Sequence, residues 1–190
     1  MKFSRIFIIL LFSLGSCGQS YDTSGVDVDA NISTRYYSVY GTSAQEIRQQ
    51  LNRNSPTKWD GYTSWYIKWN WNYKQDTNGC MLEDVNVSVD VNYTLPELET
   101  RNNLAPNLKQ KWDDYYTALV QHEDGHRDFG LNAAKEIKAA LTSLPAERSC
   151  NHLGNQANST AQNVLRKYQS MEKRYDADTN HGMNDGAIFP

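Results

Sequence analysis

From Tyr62 to Tyr73 apolar and polar side chains alternate: Trp65, Ile67, Trp69 and Trp71 fall at every second position, with Tyr66, Lys68, Asn70 and Asn72 between them. Period two sends alternate side chains to opposite faces of an extended chain, so the stretch predicts a strand with one buried face. Val85, Val87, Val89, Val91 and Tyr93 repeat the pattern after the turn-forming run Asp76-Thr77-Asn78-Gly79. The two stretches therefore read as an antiparallel hairpin. Upstream, the β-branched and aromatic residues of Arg35 to Tyr40 predict a first strand, closed by Gly41. Ser43 followed by Glu46 has the form of a capping box, which opens a short helix running to about Leu51 and ending before Pro56.

Pro96 closes the sheet region, and from about Pro106 the period lengthens. Trp112, Tyr116, Leu119, His122, His126, Ala133, Ile137 and Leu144 recur mostly at three- and four-residue steps up to Pro145. A single helix of that length would be about 58 Å long, so a bend or break is expected at Gly125 or Gly130. A further helix is expected from about Ser159, with Val164, Tyr168, Met171 and Tyr175 on one face. The polar segment from Tyr175 to Gly182 reads as loop. The fold class is thus α+β, a small antiparallel sheet packed against one long helix and a further C-terminal helix.

Composition adds the domain count. The 190 residues are 39% hydrophobic and 12% aromatic, enough for one core and a single domain. The formal net charge is −3 and the acidic and basic residues are interleaved, which speaks against nucleic acid as a partner. Lys2 and Arg5 precede an apolar run from Ile6 to Leu14 that is too short to span a bilayer and has the layout of a secretory signal. It ends in Leu14-Gly15-Ser16-Cys17, which resembles a bacterial lipobox. The expected organisation is a lipoprotein-type signal peptide over 1–16, a flexible tether over 17–32 and a domain over 33–190. A lipid on Cys17 would then hold an exported protein at the cell envelope, periplasmic or outer-surface, without a spanning helix. Setting Cys17 aside leaves Cys80 and Cys150, which can pair in an oxidising compartment. The bridge would contribute roughly 4 kcal/mol in the chain-entropy model. As zinc ligands these cysteines are poor candidates, because neither has a second Cys or His at ligand spacing.

The candidate chemistry lies in His122-Glu123-Asp124-Gly125-His126. On a helix, imidazoles at i and i+4 share a face and can hold one zinc ion, with Glu123 beside them as general base toward a zinc-activated water. The third ligand is open on spacing alone. Position 132 is Asn, which removes one common pattern. Glu147 follows Pro145 with no evident helix to carry it, His152 adjoins the expected disulfide, and His181 sits in the C-terminal polar segment. Tyr175 is a candidate hydrogen-bond donor to a tetrahedral oxyanion, and Asp176 or Asp178 a candidate to orient a ligand histidine through its other ring nitrogen.

Taken in order, Tyr40-Gly41, the tryptophan-rich strand, Cys80, Leu95-Pro96, Trp112, the His122–His126 motif, Cys150, Tyr175-Asp176, Thr179 and His181-Gly182 resemble the DUF922 family of predicted bacterial secreted zinc-dependent proteases. The resemblance covers Tyr37 to His181. It implies a zinc site of His122, His126 and His181 with Glu123 catalytic, on an α+β scaffold, and it supplies no substrate. The expected function is a monomeric zinc metallopeptidase acting on a polypeptide. Two alternatives stand beside it: hydrolysis of another amide or ester, for example in cell-wall material, and a non-enzymatic lipoprotein with a structural zinc of four protein ligands.

Overall fold

The computed structural model describes residues 23–190; the signal segment, Cys17 and the first part of the tether lie outside the described residues. In chain order the elements are β1 (Asp29–Val39), α1 (Ala44–Asn54), β2 (Tyr62–Asp76), β3 (Gly79–Leu98), α2 (Pro106–Thr142) and α3 (Cys150–Thr179), with short 3-10 turns at Arg101–Asn103 and Met183–Asp185. The domain is α+β. No helix among the described residues is long and apolar enough to cross a membrane.

β2 and β3 form the expected antiparallel hairpin, with Trp65 opposite Val91, Ile67 opposite Val89 and Trp69 opposite Val87. Val87, Val89 and Val91 are buried on its inner face, and Tyr66 and Tyr62 are exposed on the other. The sheet as a whole is mixed rather than antiparallel. Its order is β1-β3-β2, and β1 runs parallel to β3. The chain has to pass through α1 and back along β2 before β3 begins, so β3 sets off in the direction β1 took. β1 also starts earlier than the tether boundary at 32 implied, because Asp29–Ile32 pair with Ser88–Val91. Pro96 does not close the sheet. It lies within β3, opposite Tyr37 and beyond the last β2 pair at Thr94, where β3 has a neighbour on one side only and a missing N–H is tolerated.

α1 carries both halves of the capping box: Ser43 Oγ accepts from the Glu46 N–H at 3.3 Å, and Glu46 Oε2 accepts from the Ser43 N–H at 3.3 Å. Its buried Ile47 and Leu51 face the core. α2 opens with Pro106 in its first turn and continues unbroken for 37 residues, about 55 Å. The expected break is absent because the two glycines serve contact. A Cβ at Gly125 would lie 2.6 Å from the Tyr175 hydroxyl, and one at Gly130 would lie 2.7 Å from the Trp65 ring. Each costs about 1 kcal/mol of helix propensity relative to Ala, and each lets another element dock at van der Waals range.

α3 starts at Cys150, well before Ser159, and its last turns include Tyr175 and Asp176, so much of the segment expected to be loop is helical. The disulfide Cys80–Cys150 is formed, and the backbone of Glu147 pairs with that of Cys80 beside it. Together they fasten the hairpin to the start of α3.

Candidate metal centre

His122 and His126 lie one turn apart on the face of α2 that meets α3, both almost fully buried. Their Nε2 atoms stand 3.2 Å apart. Asp176 on α3 brings Oδ1 to 3.0 Å from His126 Nε2 and 3.4 Å from His122 Nε2. Four-coordinate zinc with bonds of about 2.0–2.1 Å separates its ligand atoms by about 3.3 Å, so this triangle has the size a tetrahedral cation needs.

The hydrogen bonding leaves the right lone pairs free. His126 Nδ1 is 3.0 Å from Glu172 Oε1, which also accepts from Trp65 Nε1–H at 3.0 Å. A carboxylate there requires the proton on Nδ1 and leaves Nε2 bare. Thr179 Oγ1 donates to the Tyr175 carbonyl at 2.7 Å and stands ready to accept, 3.5 Å from His122 Nδ1. The same tautomer follows for His122. With both imidazoles neutral, three lone-pair atoms face one another across 3.0–3.4 Å, an arrangement a cation relieves.

Burial and the neighbouring His126 lower the pKa of His122. Burial also opposes charge on His126, but the Glu172 hydrogen bond and the Asp176 charge outweigh it and its pKa is raised. The two imidazoles are thus biased differently, His122 toward the neutral form and His126 toward holding a second proton beside Glu172 and Asp176.

Glu123 is 3% exposed, and its Oε2 has no hydrogen-bond partner. Burial raises its pKa, which strengthens it as a base. Across from it on β2, the Thr63 hydroxyl is likewise buried; its approach to the Glu123 carboxylate opposes that rise, and it has no other hydrogen-bond partner. Both line a cavity of about 600 Å³ shared with His122, His126 and Asp176.

Among the described residues, the ligand atoms lying within 4.8 Å of one another are those of His122, His126 and Asp176. His181, which the resemblance implied as third ligand, stands one contact farther out. Its Nδ1 is 3.3 Å from the same Asp176 Oδ1, and its ring stacks on Trp59 at 3.7 Å. Tyr175 does not face the cavity. Its hydroxyl donates to the His122 carbonyl at 3.3 Å and its ring stacks on the His122 imidazole, so it braces His122. Glu147 is engaged at the disulfide, and His152 is exposed on the first turn of α3.

A family model described as "Bacterial protein of unknown function (DUF922)" matches residues 34–182. The chain belongs to the DUF922 family. No curated protein and no solved structure matches it. Within this DUF922 chain the matched span holds the whole sheet from Thr34 onward, both long helices and every residue of the cluster. Sequence reasoning missed Glu172 and Thr63 and gave Asp176 a supporting role. The signal was the i, i+4 pair Glu172/Asp176 with Tyr175 and Thr179, one polar face of a helix carried past Tyr175.

Proposed function

We propose that this protein is a zinc-dependent hydrolase, a metallopeptidase in which His122, His126 and Asp176 hold the metal and Glu123 is the general base. The observation that carries the reading is the meeting, on one cavity, of three converging lone-pair atoms with a buried carboxylate that has an unpartnered oxygen. An unsatisfied buried polar atom costs about 1–3 kcal/mol, so Glu123 Oε2, approached only by the Thr63 hydroxyl, favours a polar occupant beside it. Zinc at the cluster would act as a Lewis acid, polarising a substrate carbonyl and making water acidic near neutral pH. Glu123 takes the proton from the attacking water and can return it to the leaving amine. Thr63 hydrogen-bonds the water or the substrate carbonyl beside it. Glu172 and Thr179 hold the imidazole tautomers, and His181 holds Asp176.

A polypeptide is favoured over other amides because β2 stands at the sheet edge and residues 62–65 of that strand line the cavity. An exposed edge offers backbone hydrogen bonds to an extended chain. The proposal also puts the domain outside the cytoplasm, tethered through Cys17: the Cys80–Cys150 bridge suits an oxidising compartment, and the leader suits export.

The test is metal analysis and hydrolysis on the mature domain, with protein, peptidoglycan-fragment and small-ester substrates. The expected result is one zinc per chain, cleavage of protein, and loss of cleavage in Glu123→Gln with zinc retained. Protein that takes up no zinc after chelator-free purification and zinc addition would overturn the reading, as would full activity in Glu123→Gln. Turnover of peptidoglycan or esters alone would keep the hydrolase and remove the peptidase.

A further inference from the structure

Within a lining that also carries Arg48, Asn52, Lys58 and Asp60, one part of the cavity wall is apolar. Leu119 sits one helical turn before Glu123, and a Cβ placed on Gly61 would meet Leu119 Cδ1 at 2.9 Å and Glu123 Oε1 at 2.7 Å. An apolar methyl and the carboxylate therefore lie side by side under the residue that leads into β2. Beyond Leu119 the wall is made by the segment after α3. Ala187 and His122 both close on Gly182, and Phe189 packs edge-on to Trp112 and Tyr115 on the early turns of α2. At the mouth on this side Met183 and Ile188 are 41% and 53% exposed. On the opposite side, where α3 passes His126, the lining is polar: Gln169, Glu172 and Lys173.

Exposed Ile188 and Met183, backed by the buried Leu119, Ala187 and Phe189, mark a place on the cavity wall that gains from being covered. The position of this wall, directly beside the general base, points to the side chain next to the bond being broken. Resting on the hydrolase reading above, we infer that the Leu119–Ala187–Ile188–Phe189 wall is a specificity subsite, and that the substrate is a polypeptide with a bulky apolar residue flanking the scissile bond. The edge of β2 would hold the peptide backbone while this wall takes that one side chain.

The experiment uses the zinc-loaded mature domain and an otherwise constant peptide series carrying Leu, Phe, Gly or Asp at each position around the cut. Cleavage is mapped by mass spectrometry, and binding to zinc-loaded Glu123→Gln is measured by calorimetry, which needs no turnover. The expected result is at least about a tenfold preference for Leu or Phe over Gly and Asp at one flanking position, the scale set by one buried apolar side chain. Ile188→Asp, at an exposed position, should cut that preference while leaving zinc content unchanged. Leu119→Ala should lower it further, with circular dichroism confirming the fold. Cleavage with equal efficiency for all four residues would overturn the subsite and leave the hydrolase standing. Selective binding of the Leu and Phe peptides without turnover would support the subsite and overturn the hydrolase. Neither binding nor cleavage would overturn both.

Discussion

α2 buries two carboxylates, and they are treated in opposite ways. Glu136, 5% exposed, accepts from Lys167 Nζ at 2.9 and 2.7 Å and from the Tyr168 hydroxyl at 2.9 Å, so both oxygens are satisfied from α3. Its neighbourhood is complete, and burial together with the Glu136 hydrogen bond pushes the Tyr168 pKa up. Glu123, 3% exposed on the same helix, keeps an oxygen without a partner and faces a cavity instead of a lysine. A fold that supplies a cation and a hydroxyl to one buried carboxylate can do so for another. The difference separates a clamp between two helices from a carboxylate that, on the proposed function, is held ready to take a proton.

Substitutions should divide along that line. The largest effect is expected from Glu123→Gln, with hydrolysis falling on the order of 10²–10⁴-fold while the thermal midpoint holds or rises, since an unpartnered charge has been removed. Loss of activity together with a lower midpoint would place Glu123 with Glu136. Next, competition with a chromogenic chelator should show zinc affinity falling more than about 100-fold in Asp176→Ala and about 10–100-fold in His181→Ala, the range for a supporting residue. Equal losses would count His181 among the ligands. Glu136→Gln should lower stability in urea by about 1–2 kcal/mol, less than a fully buried pair because Lys167 is 46% exposed. Activity per folded molecule should not change; a fall in it would show that the clamp also shapes the site. The smallest effect, about 1 kcal/mol of stability with unchanged zinc affinity, is expected from Ser43→Ala in the capping box of α1.

What was legible in the chain was whatever local chemistry determines. The alternation in β2 and β3, the Ser43/Glu46 box, Pro106 at the start of α2 and the His122–His126 motif each depend on neighbours within a few residues. What was not legible came from tertiary contact. Gly125 and Gly130 look like helix breakers until Tyr175 and Trp65 are seen against them. Asp176 reads as solvated loop because the face of α3 that carries it is polar, and it is polar because it meets imidazoles rather than a hydrophobic core. The parallel pairing of β1 with β3 leaves no mark on either strand's own pattern.

The continuity of α2 has a consequence for motion. Because no kink separates His122, Glu123 and His126 from Ala133, Ile137 and Leu141, the reactive residues and the central packing belong to one cooperative unit. Amide protons near the motif exchange with solvent only when that whole unit opens, and far more slowly than those in the fraying first turns after Pro106. The spacing of His122, Glu123 and His126 therefore does not loosen by itself: it persists for as long as α2 is folded and is lost together with it.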